Sequence, residues 1–170
     1  MRAADFFRAV TMDKSEMLDR ILALFEREGV RYCVIGGLAV NAYVEPNVTL
    51  DLDVVIAPEQ VEGIVGLLAN EFKVTEFPHS LNVNDPDSEL RVQIQRDPRY
   101  NDFVERAQVR EVLGMKMPVA SVEDVLQGKI WAATDPDRRE LKRKKDELDI
   151  LRIVDSFPHL RQRVPAKFLG

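Results

Sequence analysis

The sequence predicts an α/β or α+β fold, a mixed β-sheet flanked by helices with a helical C-terminal part. Three observations predict it. Met17, Leu18, Ile21, Leu22, Leu24 and Phe25 recur at helical spacing. Short β-branched or alternating runs at 31–35, 49–56 and 90–95 punctuate the middle of the chain. From Ser121 onward the apolar residues return to helical spacing. The expected organisation is an α/β core with its N-terminal helix over 1–120, and a helical segment packed on it over 121–170.

The elements follow in order. Asp13 offers an N-cap with Glu16 in capping-box position, and Gly29 ends the first helix. Arg31-Tyr32-Cys33-Val34-Ile35 reads as a buried strand, broken by Gly36-Gly37. A short helix is expected over 38–43. Pro46 and Asn47 mark a turn, and 49–56 is the second strand. Pro58 opens a helix that runs to about Phe72. Strands are expected at 73–77 and 81–84, then a turn at Asp85-Pro86-Asp87. Leu90, Val92 and Ile94 alternate with Arg91, Gln93 and Gln95, which gives a half-buried strand. A helix over 100–107 and a hairpin over 109–119 around Gly114 come next. Ser121 with Asp124 starts a helix that carries Trp131, and 138–154 is a long helix. Pro158 and Pro165 are expected to loosen the tail.

Bulk properties narrow the class. With 170 residues, 45% of them hydrophobic, the chain can bury a core without staples. A net charge of −5 argues against indiscriminate nucleic-acid binding, which needs a basic face. Cys33 is the sole cysteine, so no intrachain disulfide forms and a buried inert thiol is expected. His79 and His159 have no companions at zinc-ligand spacing. No stretch of about 18 uninterrupted apolar residues exists. The acidic N-terminus, with Asp5 and Asp13, lacks a signal-peptide core. The chain therefore reads as cytoplasmic, with no membrane partner.

The chemistry is concentrated in two places. A strand that ends in Gly36-Gly37 and feeds a helix lets backbone approach an anion, with free N–H groups pointing at it. On the next strand Asp51 and Asp53 are i and i+2, so they share one face while Leu50, Leu52 and Val54 take the other. Two adjacent carboxylates repel. A hard cation such as Mg²⁺, bound by one or two carboxylates and substrate phosphates, relieves that repulsion. The plainer reading is a solvent-facing pair on an edge strand. Phosphate loop and carboxylate pair on consecutive strands meet the needs of phosphoryl or nucleotidyl transfer.

This pattern, Gly36-Gly37 followed by Thr49-Leu50-Asp51-Leu52-Asp53, resembles the active-site signature of the nucleotidyltransferase superfamily, the DNA polymerase β-like fold. It is most similar to small bacterial members, including toxins of abortive-infection toxin–antitoxin systems. The resemblance covers about 31–57 well and reaches more loosely into the C-terminal helices. It implies transfer of an NMP from an NTP to a hydroxyl acceptor with Mg²⁺, Mn²⁺ being the alternative ion. It assigns Asp51 and Asp53 to the metal, and Gly36, Gly37, Thr49, Lys129 and Lys145 to the nucleotide. Lys145-Asp146-Glu147-Leu148-Asp149 resembles the family's K-D-x-x-D run. The acceptor stays open between RNA, protein and small molecule, and a protein partner fits a toxin–antitoxin component.

Two departures stand out. A basic residue usually sits two positions before the threonine, and here it is Asn47. Catalytic members carry a third carboxylate on a later strand, and the matching position holds Gln93. Glutamine is no general base and a weak Mg²⁺ ligand. Glu89 and Asp97 are each about 13 Å from it along a strand, too far to replace it. A second expectation follows, a nucleotidyltransferase-fold binding or regulatory protein with impaired catalysis. The basic cluster Arg138, Arg139, Lys142, Arg143, Lys144 and Lys145 reads either as a solvated helix face or as one that places Lys145, with Lys129, near the triphosphate or a polyanionic acceptor such as RNA.

Overall fold

The computed structural model describes residues 16–170. Asp13, the expected cap of the first helix, lies outside the described residues. Helix α1 (Met17–Arg27) buries Met17, Leu18, Ile21, Leu24 and Phe25, the stripe its spacing dictates. Gly29 closes it at φ +60°, and the Val30 N–H returns to the Phe25 carbonyl.

β1 (Tyr32–Ile35) leads into α2 (Gly36–Asn41), which starts on the glycines themselves rather than two residues later. β2 (Asp51–Ile56) begins later than its apolar pattern suggests. The Asp51 N–H donates to Thr49 Oγ1, a local side-chain bond at the start of the strand. After a 3₁₀ turn at Pro58–Gln60, α3 (Val61–Ala69) ends short of Phe72.

β3 (Lys73–Phe77), β4 (Ser80–Asn84) and β5 (Arg91–Gln95) form an antiparallel meander. The weak helical pattern over 100–107 resolves into a 3₁₀ turn at Pro98–Tyr100 and a single turn, α4 (Phe103–Arg106). β6 (Gln108–Val112) and β7 (Met115–Val119) make the expected hairpin. Leu113 and Gly114 both have positive φ, as a two-residue turn between twisted strands requires.

Ser121 caps α5 (Val122–Thr134) by accepting the Asp124 N–H. α6 (Glu140–Ser156) follows the Asp135-Pro136-Asp137 turn. The tail does not loosen at its prolines. Pro158 starts one 3₁₀ segment and Pro165 precedes another, and together they bury Leu160, Val164 and Phe168.

The seven strands form one mixed sheet in the order β3-β4-β5-β2-β1-β7-β6. β2 runs parallel to β5 and antiparallel to β1, and β1 is parallel to β7. One face carries Leu52, Val54, Leu81, Val83, Val92 and Ile94, all buried. Phe25 of α1 packs its ring on Tyr32 of that face, with centroids 4.8 Å apart. The opposite face carries Cys33, Ile35, Asp51 and Asp53. The Arg106–Asp124 pair, which joins α4 to α5, lies close enough to Cys33 to act on its thiol. Burial first, then Asp124, pushes that thiol up to about 12, so it is an inert core group. No helix among the described residues is long and apolar enough to cross a membrane.

Candidate active site

Four strands converge at Asp53. Antiparallel pairing sets Ile35 beside it, one residue before the glycines. Parallel pairing sets Gln93 beside it on the other side, and Asn82 lies beyond Gln93. The i, i+2 rule therefore holds: Asp51 and Asp53 are half-buried on one face, with Leu52 and Val54 buried on the other.

The glycine pair is fitted to this arrangement. Gly36 stands at φ +71°, a region that only glycine occupies freely. Its α-carbon lies against the Asp53 carboxyl, so that an added Cβ would overlap Oδ2 and stand 3.1 Å from Cγ. Gly37 faces Thr49, whose methyl would be 3.8 Å from such a Cβ. Thr49 in turn holds the Asp51 N–H at 3.2 Å. Asn47 stands where a basic residue was expected. Its N–H and carbonyl are both held by the Asn41 side chain, at 3.0 and 2.6 Å, which closes the loop between glycines and aspartates.

Electrostatics divide the two carboxylates. Burial pushes Asp53 up to about 6, and Asp51 adds to this, while Lys129, Arg138 and Lys142 pull the other way. Asp51 is more exposed, and its Oδ1 is ion-paired with Arg91 Nε at 2.7 Å. Arg91 is the strand neighbour of Asp51, as Gln93 is of Asp53.

The two lysines part company. Lys129 is buried on α5 and sits between Asp146 and Asp149 of α6, at 3.1 and 2.9 Å. Burial alone would lower its pKa, but the two carboxylates outweigh that and the net shift is upward. Arg138 adds its Nε to Asp146 at 2.5 Å, and Arg152 adds Nη1 to Asp149 at 2.6 Å. Three cations thus meet two carboxylates, and the surplus positive charge acts on Asp53. Lys145 is exposed and pairs with no described residue.

The basic cluster resolves residue by residue. Arg143 donates to the carbonyls of Asp135, Pro136 and Arg138, and Lys144 pairs with Glu147. Lys142 is among the cations that act on Asp53. Sequence reasoning missed Arg91 and Arg152, and named Arg138 and Lys142 only as members of the basic cluster. One signal was present: Lys142, Asp146 and Asp149 are i, i+4 and i+7, one helix face. Trp131 joins Tyr100 and Phe103 in an aromatic cluster, with ring centroids 5.1 and 5.9 Å away. A cleft of about 280 Å³ beside Ala133, Arg143 and Phe168 shares no residue with this site.

The donor set bears on whether a divalent cation fits. Among the described residues no group of three or more His, Cys, Asp or Glu side chains could hold a metal. What is present is oxygen only: two carboxylates on one face beside the Gln93 amide. That is too little for a protein-only cage. It fits a single Mg²⁺ that takes its remaining ligands from substrate phosphates and water.

No protein-family model matches the chain, and no curated protein matches it. Solved structures do. ANT(2″)-Ia in complex with adenylyl-2″-tobramycin is similar at 17% identity and TM-score 0.60, over 89% of this chain and 94% of that one. The lincosamide antibiotic adenylyltransferase LnuA, lincomycin-bound, is similar at 18% identity and TM-score 0.55, over 82% and 95%. A nucleotidyltransferase described as putative, from Thermotoga maritima, is similar at 20% identity and TM-score 0.50, over 66% and 80%. At such identities the likeness is one of fold, and this chain shares the fold of these solved structures.

Proposed function

We propose that the protein is a Mg²⁺-dependent nucleotidyltransferase that moves an NMP from an NTP to a hydroxyl acceptor. One observation carries the reading: the Asp53 carboxyl rests on the positive-φ glycine that opens the phosphate turn, with Asp51 on the same face. Two structural neighbours support it, the adenylyltransferase LnuA and ANT(2″)-Ia in complex with adenylyl-2″-tobramycin. The N–H groups of Gly36, Gly37 and Leu38 begin a helix and have no partner within it, so they suit a phosphate oxygen. Thr49 fixes the backbone ahead of Asp51. Asp51 and Asp53 would hold the metal, with Gln93 beside them. The metal would neutralise charge on the phosphate oxygens. Lys142, with Lys129 behind it, supplies positive charge on the same side. Lys145, exposed one turn away, would reach a distal phosphate of the bound triphosphate.

In the transfer, the acceptor oxygen bonds to the α-phosphorus and the bond to the leaving pyrophosphate breaks. Gln93 accepts no proton, so the hydroxyl proton passes to water at this half-exposed site. The test is to incubate each labelled NTP with Mg²⁺ and pools of hydroxyl acceptors. NMP transfer by the wild type, lost in Asp51→Ala, is expected. Transfer unchanged in Asp51→Ala would remove the reading.

A second reading has its own observation, the register that puts Gln93 opposite Asp53 where a third carboxylate would stand. On that reading the protein binds MgNTP and signals through it without turnover. Calorimetric binding without product, and turnover created by Gln93→Asp, would select it over the first.

A further inference from the structure

Beyond Gln93, the Asp53 face takes no part in the site described above. Next to Asp53 the register runs Gln93, Asn82, Thr75 across β5, β4 and β3. The next row out ends in Ser80 and Phe77. Thr75, Ser80, Asn82 and Gln93 are half-buried, and among the described residues their side chains have no hydrogen-bond partner. Phe77 is 49% exposed. Their partners across the pleat, Leu81, Val83, Val92 and Ile94, are buried, so this is the sheet's outward face and not a slipped register.

We propose that this face is the acceptor platform, and that the acceptor is a neutral, hydroxyl-rich compound of the saccharide class laid across β5, β4 and β3 with one hydroxyl at Asp53. The inference deepens the nucleotidyl-transfer reading and rests on it.

Four observations select that chemistry. Each amide of Asn82 and Gln93 donates and accepts, which matches vicinal hydroxyls. Within these three strands the face carries no carboxylate, and Glu89, just ahead of β5, is not a free one. A polycation would find no partner here and would meet Lys73 at the edge. A polyanion fares no better, because Lys73 and Arg91 are the two cations these strands offer on this face, a weak phosphate-tracking surface. Phe77 offers an exposed ring for the apolar face of a sugar. From Asp53 to Thr75 is three strand spacings, about 14 Å, which is the span of a short oligosaccharide.

The test titrates the nucleotide-free protein with three probes: a panel of neutral trisaccharides, a polyamino sugar and a hexaribonucleotide. Side-chain amide resonances of Asn82 and Gln93 report the contact, and MgATP binding is measured separately. Neutral trisaccharides should shift both amides. Phe77→Ala and Asn82→Ala should each weaken that binding about tenfold, while MgATP binding stays within about twofold in Phe77→Ala. Both changes are on a half-open surface, so folding is retained. The platform falls if no trisaccharide binds, if binding leaves these amides unmoved, or if either charged probe binds there more tightly. Saccharide binding without MgATP binding would overturn the transfer reading and leave the platform standing. MgATP binding without saccharide binding would do the reverse.

Discussion

A Cβ placed on Gly36 would collide with the Oδ2 oxygen of Asp53, because the turn and the carboxyl occupy adjoining space. Gly36→Ala therefore has two costs, a positive φ that disfavours alanine and a steric overlap with β2. We expect a loss of about 2–4 kcal/mol in urea unfolding, together with loss of nucleotide binding. Gly29→Ala is the control. It has a similar φ of +60° but nothing within 4 Å of the added carbon, so it should cost only about 1 kcal/mol. Equal losses at the two positions would refute the steric part.

Asp53 makes stability depend on pH in an unusual direction. Its carboxyl is raised from 3.8 to about 6, so the folded chain holds this proton more tightly than the unfolded one. Its contribution is full below the unfolded pKa and declines as pH rises through about 6. A rise of that size corresponds to about 3 kcal/mol as an upper figure. Asp53→Asn should therefore match the wild type near pH 3 and exceed it at pH 7 by up to that amount in metal-free buffer. A stability difference that is flat across this window would contradict it.

Lys129 and Lys145 should behave as opposites. Lys129→Ala leaves Asp146 and Asp149 buried with one cation fewer, and breaking a buried pair costs about 3–5 kcal/mol. It also removes the largest influence that lowers the Asp53 pKa, so a carboxyl titration followed by NMR should move further upward. Lys145→Ala is a surface change and should stay within about 0.5 kcal/mol. If Lys145→Ala shifted the Asp53 titration instead, the assignment of Lys142 and Lys129 to that side would fail.

Arg91 competes with any cation for Asp51. The pair is exposed, which limits its worth to about 1 kcal/mol or less. Arg91→Gln should strengthen Mn²⁺ binding, read by the loss of free-ion paramagnetic signal, by no more than about fivefold. Weaker binding in the variant would mean that Arg91 supports the site rather than opposes it.

The sheet was legible because its strands obey the period-two rule strongly. Leu90, Val92 and Ile94, or Leu81 and Val83, have no helical alternative at that length. That Asp51 and Asp53 share a face was legible for the same reason, since alternation fixes it locally, whereas the contact of Gly36 with Asp53 depends on the β1–β2 register. The start of β2 was not, because it is set by where the parallel pairing with β5 begins, at Asp51 opposite Arg91, which apolarity does not report. Nor was the fate of the basic cluster, where neighbouring side chains point to opposite sides of one helix. Lys142 was separable from Lys145 only once Asp146 and Asp149 were known to face inward. Arg91 was hidden for another reason: its partner is set by a parallel register between strands far apart in the chain.

Arg152, near the end of α6, hydrogen-bonds to the Asn41 side chain and to the Glu45 carbonyl, on the loop that joins the glycines to the aspartates. The first of these bonds joins residues 111 positions apart. A nascent chain still in the ribosome tunnel can pair β1 with β2 long before Arg152 emerges. The loop's final anchoring must wait for synthesis of α6, so it is completed late, when most of the secondary structure before that helix can already have formed.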